Sequence, residues 1–67
     1  MKNLIKVERA RHNITQAELA DKVKVSRQTI NSIETGKFIP STLLAFKIAN
    51  ILQIPVDEIF QLEDSDW

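Results

Sequence analysis

The sequence predicts an all-α fold of five short helices, and three observations carry that reading. Helix-start residues (Asn3, Thr15, Ser26 and Ser41) each precede a run with helical apolar spacing. The only Gly and both Pro fall between positions 36 and 55, as punctuation between such runs. No segment alternates over enough length to make a core strand. With 67 residues, 43% of them apolar, the chain is expected to form one globular domain, residues 1–67. A core this thin depends on close helix packing or a partner chain.

The first helix is expected from about Leu4 to His12, with Asn3 as its N-cap and Leu4, Val7 and Ala10 as its apolar face. Thr15-Gln16-Ala17-Glu18 is a capping box that opens the second helix, which runs to about Val23 with Leu19, Ala20 and Val23 inward. After a break at Lys24-Val25, Ser26 caps a third helix from Arg27 to Glu34 or Thr35. Gly36 ends it, since Gly takes the left-handed conformation without strain. Pro40-Ser41 stops the chain and restarts it as a fourth helix, Thr42 to about Leu52. Eight of those eleven residues are apolar, so this helix is expected to be wrapped on most sides at the centre of the core. Pro55 starts a last short helix, Val56–Phe60, with Asp57 and Glu58 at the favourable end of its dipole. The acidic tail, 61–67, is expected to fray. Phe60-Gln61-Leu62-Glu63 alternates, which leaves a short edge strand open.

Charge is balanced overall, nine basic residues against nine acidic, but not along the chain. Residues 1–38 carry eight basic and four acidic side chains, net +4. Residues 39–67 carry Lys47 against five carboxylates, net −4. That asymmetry suggests a basic working face and an acidic end directed elsewhere. The longest apolar run is four residues (Leu43–Phe46), too short to span a bilayer. No stretch has the build of a signal peptide. With no Cys and one His, neither disulfides nor a structural metal are expected, and the cytoplasm is the expected compartment.

Function concentrates in residues 16–35. Two helices of about eight residues joined by a turn of about three must cross steeply, the geometry of a helix-turn-helix. Leu19, Val23, Val25, Ile30 and Ile33 supply its apolar seam, and Ala20 is small where the backbones approach. With Ile30 and Ile33 inward, Gln28, Asn31, Ser32 and Thr35 face outward and Arg27 lies at the flank. Such side chains match base edges in a DNA major groove, Arg pairing with guanine and Gln or Asn with adenine.

The chain resembles the lambda-repressor-like, Cro/CI-type (XRE) helix-turn-helix family of bacterial and phage regulators. The matching elements are Arg9, Thr15-Gln16-x-Glu18-Leu19-Ala20, Val25-Ser26-Arg27-Gln28-Thr29-Ile30, Ile33-Glu34-x-Gly36-Lys37, Pro40-Ser41 and Ala45-x-Lys47-Ile48-Ala49. The match covers about residues 4–60. It is similar to minimal single-domain members, which act as homodimers on double-stranded DNA, most simply as repressors at a palindromic operator. In some of these the termini pair as a small antiparallel ribbon, for which Lys2–Leu4 and Gln61–Glu63 are the candidates. The resemblance implies that Gln16 holds a phosphate and that Arg9 and Glu34 form an inter-helix salt bridge. Ser26, Thr29 and Lys37 are further expected phosphate contacts, and Arg27, Gln28, Asn31 and Ser32 the expected base contacts. A dimer surface is expected at Ile39, Val56, Phe60 and Leu62. Two departures stand out: Lys24 occupies a turn position where Gly is usual, and Glu8 replaces an aliphatic residue on the first helix.

Two other classes of function compete with DNA binding. The same helices could bind a protein, as an antitoxin or co-regulator would. An enzyme is not expected: no nucleophile–base constellation or phosphate loop is present, no cofactor is implied, and little volume remains for a small-molecule pocket. His12 and Trp67 are read as a helix-end residue and a frayed terminus.

Overall fold

The computed structural model describes residues 1–67. In chain order it contains β1 (Lys2–Asn3), α1 (Ile5–Arg11), α2 (Gln16–Val23), α3 (Arg27–Glu34), α4 (Thr42–Leu52), α5 (Val56–Ile59) and β2 (Phe60–Gln61). A 3-10 turn at Asp64–Asp66 follows. The helices gather into a body of 32 × 21 × 19 Å in which α2 packs against both α3 and α4, and α4 against α5. No helix is long and apolar enough to cross a membrane.

Local signals account for where α2, α3 and α4 begin. The Thr15 hydroxyl accepts from the Glu18 N–H at 3.0 Å, while the Glu18 carboxylate accepts from the Thr15 N–H at 2.9 Å, which closes the capping box. Ser26 and Ser41 accept in the same way from the N–H groups of Thr29 and Leu44.

The helix ends share one device. Asn13, Lys24, Gly36 and Gln53 all have positive φ. Each donates its N–H to the carbonyl three residues back, and the following residue donates to the carbonyl five back. This paired closure satisfies carbonyls the helix leaves free. Ile14, Val25 and Ile54 follow three of these residues and pack half-buried against the core. Only Gly36 adopts the conformation without penalty. At Lys24 (φ 61°) the left-handed backbone costs roughly 1–2 kcal/mol.

Seven side chains are fully buried: Ile5, Leu19, Ile30, Ile33, Ile48, Leu52 and Ile59. Truncating any one of them would remove several kcal/mol, about 2–5 by analogy with other cores. Two sequence expectations fail here. Of the expected inward face of α1, Leu4 packs half-buried against the core, but Val7 and Ala10 are exposed, and Ile5 and Glu8 are buried in their place. The helix lies instead with a stripe of Ile5, Glu8, Arg9 and His12 toward the body, where Arg9 and His12 find partners, while Glu8 is paired on its own helix. Glu8 pairs with Arg11 at 3.6 Å, and the His12 Nε2–H donates to the Leu52 carbonyl at 2.7 Å. Nor is α4 wrapped on most sides. Its buried residues are Ile48, Ala49 and Leu52, and Leu43 and Phe46 are more than half exposed, because α2 and α5 cover only part of the helix.

The termini meet as a two-stranded antiparallel ribbon, with Lys2 opposite Gln61 and Asn3 opposite Phe60. The second strand begins at Phe60, so α5 ends one residue earlier than its sequence pattern predicts. The tail does not fray as a whole. The Met1 ammonium lies 2.8 Å from Asp66 and 3.2 Å from Glu63, and Asp66 also accepts the Glu63 N–H at 2.7 Å. The hydrogen bond to Asp66 raises the ammonium pKa, and the same bond lowers that of Asp66. The Trp67 side chain is 92% exposed, although its N–H donates to the Asp64 carbonyl at 3.2 Å.

Candidate nucleic-acid interface

Helix α3 is the element around which the exposed polar groups collect. Three residues, Lys24, Val25 and Ser26, separate it from α2. Its amphipathic pattern is strict: Ile30 and Ile33 are buried, while Arg27, Gln28 and Asn31 are exposed and Thr29 and Ser32 half-buried.

The inner side of α3 is fastened from three directions. Arg9 on α1 grips Glu34 with two parallel hydrogen bonds, Nε to Oε2 at 2.7 Å and Nη2 to Oε1 at 3.1 Å. Its remaining nitrogen donates to the Ile14 carbonyl at 3.1 Å. The Arg9 and Glu34 side chains are 14% and 6% exposed, so the pair is largely desolvated and depends on these bonds. Gln16 at the start of α2 is the second tie: its amide donates to Glu34 and to the Asn31 side chain, both at 3.2 Å. Asn3 is the third, donating to the Ile33 carbonyl at 2.9 Å while accepting from the Ile5 N–H at 3.2 Å. Asn3 therefore serves the start of α1 from one residue before the capping position, which Leu4 occupies.

The outer side is differently built. Arg27 borders an open hollow of about 570 Å³ beside the first residues of α2. On the other flank, Ser26, Gln28, Thr29, Ser32 and Phe38 line a hollow of about 310 Å³. The Ser26 and Thr29 hydroxyls bond to each other at 2.9 Å. Lys37 is exposed just past Gly36, where the Lys37 and Phe38 N–H groups close on the Ser32 carbonyl. The basic excess of the first half is not gathered on this face alone. Arg9 and Arg11 are paired with carboxylates, and Lys22 and Lys24 border a separate depression between α2 and α4 together with Lys47.

Residues 5–59 match the family model described as Helix-turn-helix. The chain belongs to the XRE-type helix-turn-helix family. An uncharacterized HTH-type transcriptional regulator of Methanocaldococcus jannaschii is 53% identical over 66 residues, covering 98% of this chain and all of the relative. YgzD of Bacillus subtilis, also an uncharacterized HTH-type transcriptional regulator, is 41% identical with the same coverage. A third such protein, from Archaeoglobus fulgidus, is 42% identical over 98% of this chain and 93% of its own length. The family makes the chain a DNA-binding transcriptional regulator, and its relatives are archaeal as well as bacterial.

Against that family role, the four expected base-contact residues lie together on α3, with Asn31 partly committed to Gln16. Gln16 is at once an expected phosphate contact and an internal tie. The expected dimer residues separate: Phe60 belongs to the chain's own core and Val56 is half-buried, leaving Ile39 and Leu62 exposed at 62% each. Sequence reasoning missed Asn3 as a tie to α3, Gln16 as a tie to Glu34, and Phe38 beside Gln28. A bulky aromatic directly after the Gly-Lys pair was the available signal for the last.

Proposed function

We propose that the chain regulates transcription by binding a specific duplex DNA sequence, with α3 in the major groove. The observation that carries this reading is the contrast across α3: its inner side is fixed by Arg9, Gln16 and Asn3, and its outer side exposes the Arg27 and Gln28 side chains, which bond to nothing within the chain. Arg27, Gln28, Asn31 and Ser32 are assigned to base edges, and Gln16, Ser26, Thr29 and Lys37 to phosphates. Phosphate contacts then set register and base contacts set sequence. Two copies related by a two-fold axis would bind a palindromic operator with half-sites about 34–36 Å apart. The exposed apolar residues Ile39 and Leu62 are assigned to the contact between copies. Occupying an operator in this way represses by excluding the transcription machinery. The chain acts as one domain, residues 1–67, in the cytoplasm.

A second reading has its own support. Leu43 and Phe46 expose a further apolar face on α4, which suits a protein partner of the kind an antitoxin or co-regulator has. Selection of duplex DNA from a random pool at two salt concentrations separates the two. The DNA reading expects a two-fold symmetric motif and an affinity that falls steeply with salt. Recovery of no motif, with weak binding that ignores salt, would leave the protein-partner reading in its place.

A further inference from the structure

Phe38 is an aromatic residue beside the expected base contacts that the family role leaves without a task. It sits two residues past the left-handed Gly36, and its N–H donates to the Ser32 carbonyl at 3.2 Å beside that of Lys37 at 2.9 Å. Its backbone is therefore tied to the last turn of α3. The side chain is 48% exposed and takes no part in the apolar cluster of the core. It borders the same hollow as Gln28 and Ser32, and no residue of α4 lines that hollow. An aromatic side chain is thus held among hydrogen-bonding groups, on the flank of the helix assigned to base edges.

The major groove presents donors and acceptors on every base pair, and one apolar group, the C5-methyl of thymine. From this match we propose that Phe38 is a specificity-determining residue that packs against a thymine methyl group while α3 occupies the groove. The inference rests on the DNA reading above and adds to it. Gln28 and Ser32 supply hydrogen bonds in the hollow, and Phe38 supplies the apolar wall that discriminates thymine from cytosine at one position of each half-site. Phe38 is then part of the reading surface, distinct from the apolar residues assigned to subunit contact.

The test replaces each thymine of the selected operator in turn by deoxyuridine, which removes the methyl group and leaves the base-pairing edge intact. Binding by the wild-type chain is expected to weaken about fourfold at one position per half-site, the worth of burying one methyl-sized group. In Phe38→Ala the same replacement should have no effect. Phe38→Leu, which keeps an apolar wall, should retain most of it and guards against a folding defect in the alanine variant. Sedimentation of Phe38→Ala should match wild type. Deoxyuridine effects that are the same in wild type and Phe38→Ala would overturn the proposal, as would a Phe38→Ala chain that fails to self-associate where wild type does. A wild-type chain that binds no selected duplex would overturn the DNA reading itself, an outcome seen before the thymine series begins.

Discussion

The two sides of α3 are built from the same eight residues and treated in opposite ways. On the inner side, Ile30 and Ile33 are closed off from water, and Glu34 accepts hydrogen bonds from both Arg9 and Gln16. On the outer side, the Arg27 and Gln28 side chains remain exposed and form no hydrogen bond within the chain. The difference shows how a 67-residue protein can hold a rigid reading surface. Fixing one side of a helix positions the other at no further cost, because the backbone carries both. Stability should therefore belong to the inner side and sequence recognition to the outer.

The strongest way to break this division is to cut the inner side. Glu34→Ala would strand the Arg9 guanidinium in a largely dry site and is expected to lower stability by roughly 3–5 kcal/mol, measured by urea unfolding. An unfolding midpoint equal to wild type would mean that the ion pair fastens nothing. A smaller effect is expected at the turn between the two helices. Lys24→Gly relieves the positive-φ strain but gives the unfolded chain more freedom, so the net gain should be at most about 1 kcal/mol. DNA affinity should stay unchanged, since the turn only sets where α3 begins. A large loss of affinity on this substitution would move Lys24 onto the reading surface.

The smallest effect concerns acid. Hydrogen bonds from the Thr15 backbone and side chain, then the charge of Lys22, hold the Glu18 carboxyl below the usual range. A folded-state pKa lower than the unfolded one contributes stability above the unfolded value, about 4.3, and loses it as pH falls through the folded value. The stability difference between wild type and Glu18→Gln should therefore be widest near neutrality and close in acid. A difference that stays constant from pH 7 to about pH 3 would show that the charge on Glu18 contributes nothing to the cap.

What could be read from the sequence was local. Thr15, Ser26 and Ser41 announce helix starts because their oxygens bond within three residues, and the outward face of α3 follows from the spacing of Ile30 and Ile33 alone. Long-range partners were not legible. The stripe of α1 that faces the body is polar, and what satisfies Arg9 and His12 lies 25 and 40 residues away, so hydrophobic spacing pointed to Val7 and Ala10 instead. The tail misled for the same reason, since Asp66 is held by an ammonium 65 residues distant. Counting apolar residues in α4 overstated its burial, because which neighbours cover a helix depends on topology. The helix ends themselves were legible, and so was the break at Lys24, but the left-handed closures at Asn13 and Gln53 were not, for want of Gly, although the apolar residue after each was a usable sign. At the site, the Arg9–Glu34 pairing was available only through family resemblance, and Phe38 lies beyond the helical wheel.

The central claim is most directly tested by the specificity ratio of Gln28→Ala, its affinity for the selected operator divided by that for a scrambled duplex at one salt concentration. The account predicts a ratio lower by about 5- to 150-fold, equivalent to roughly 1–3 kcal/mol, with urea unfolding unchanged. An equal loss on both duplexes, or a ratio identical to wild type, would contradict it.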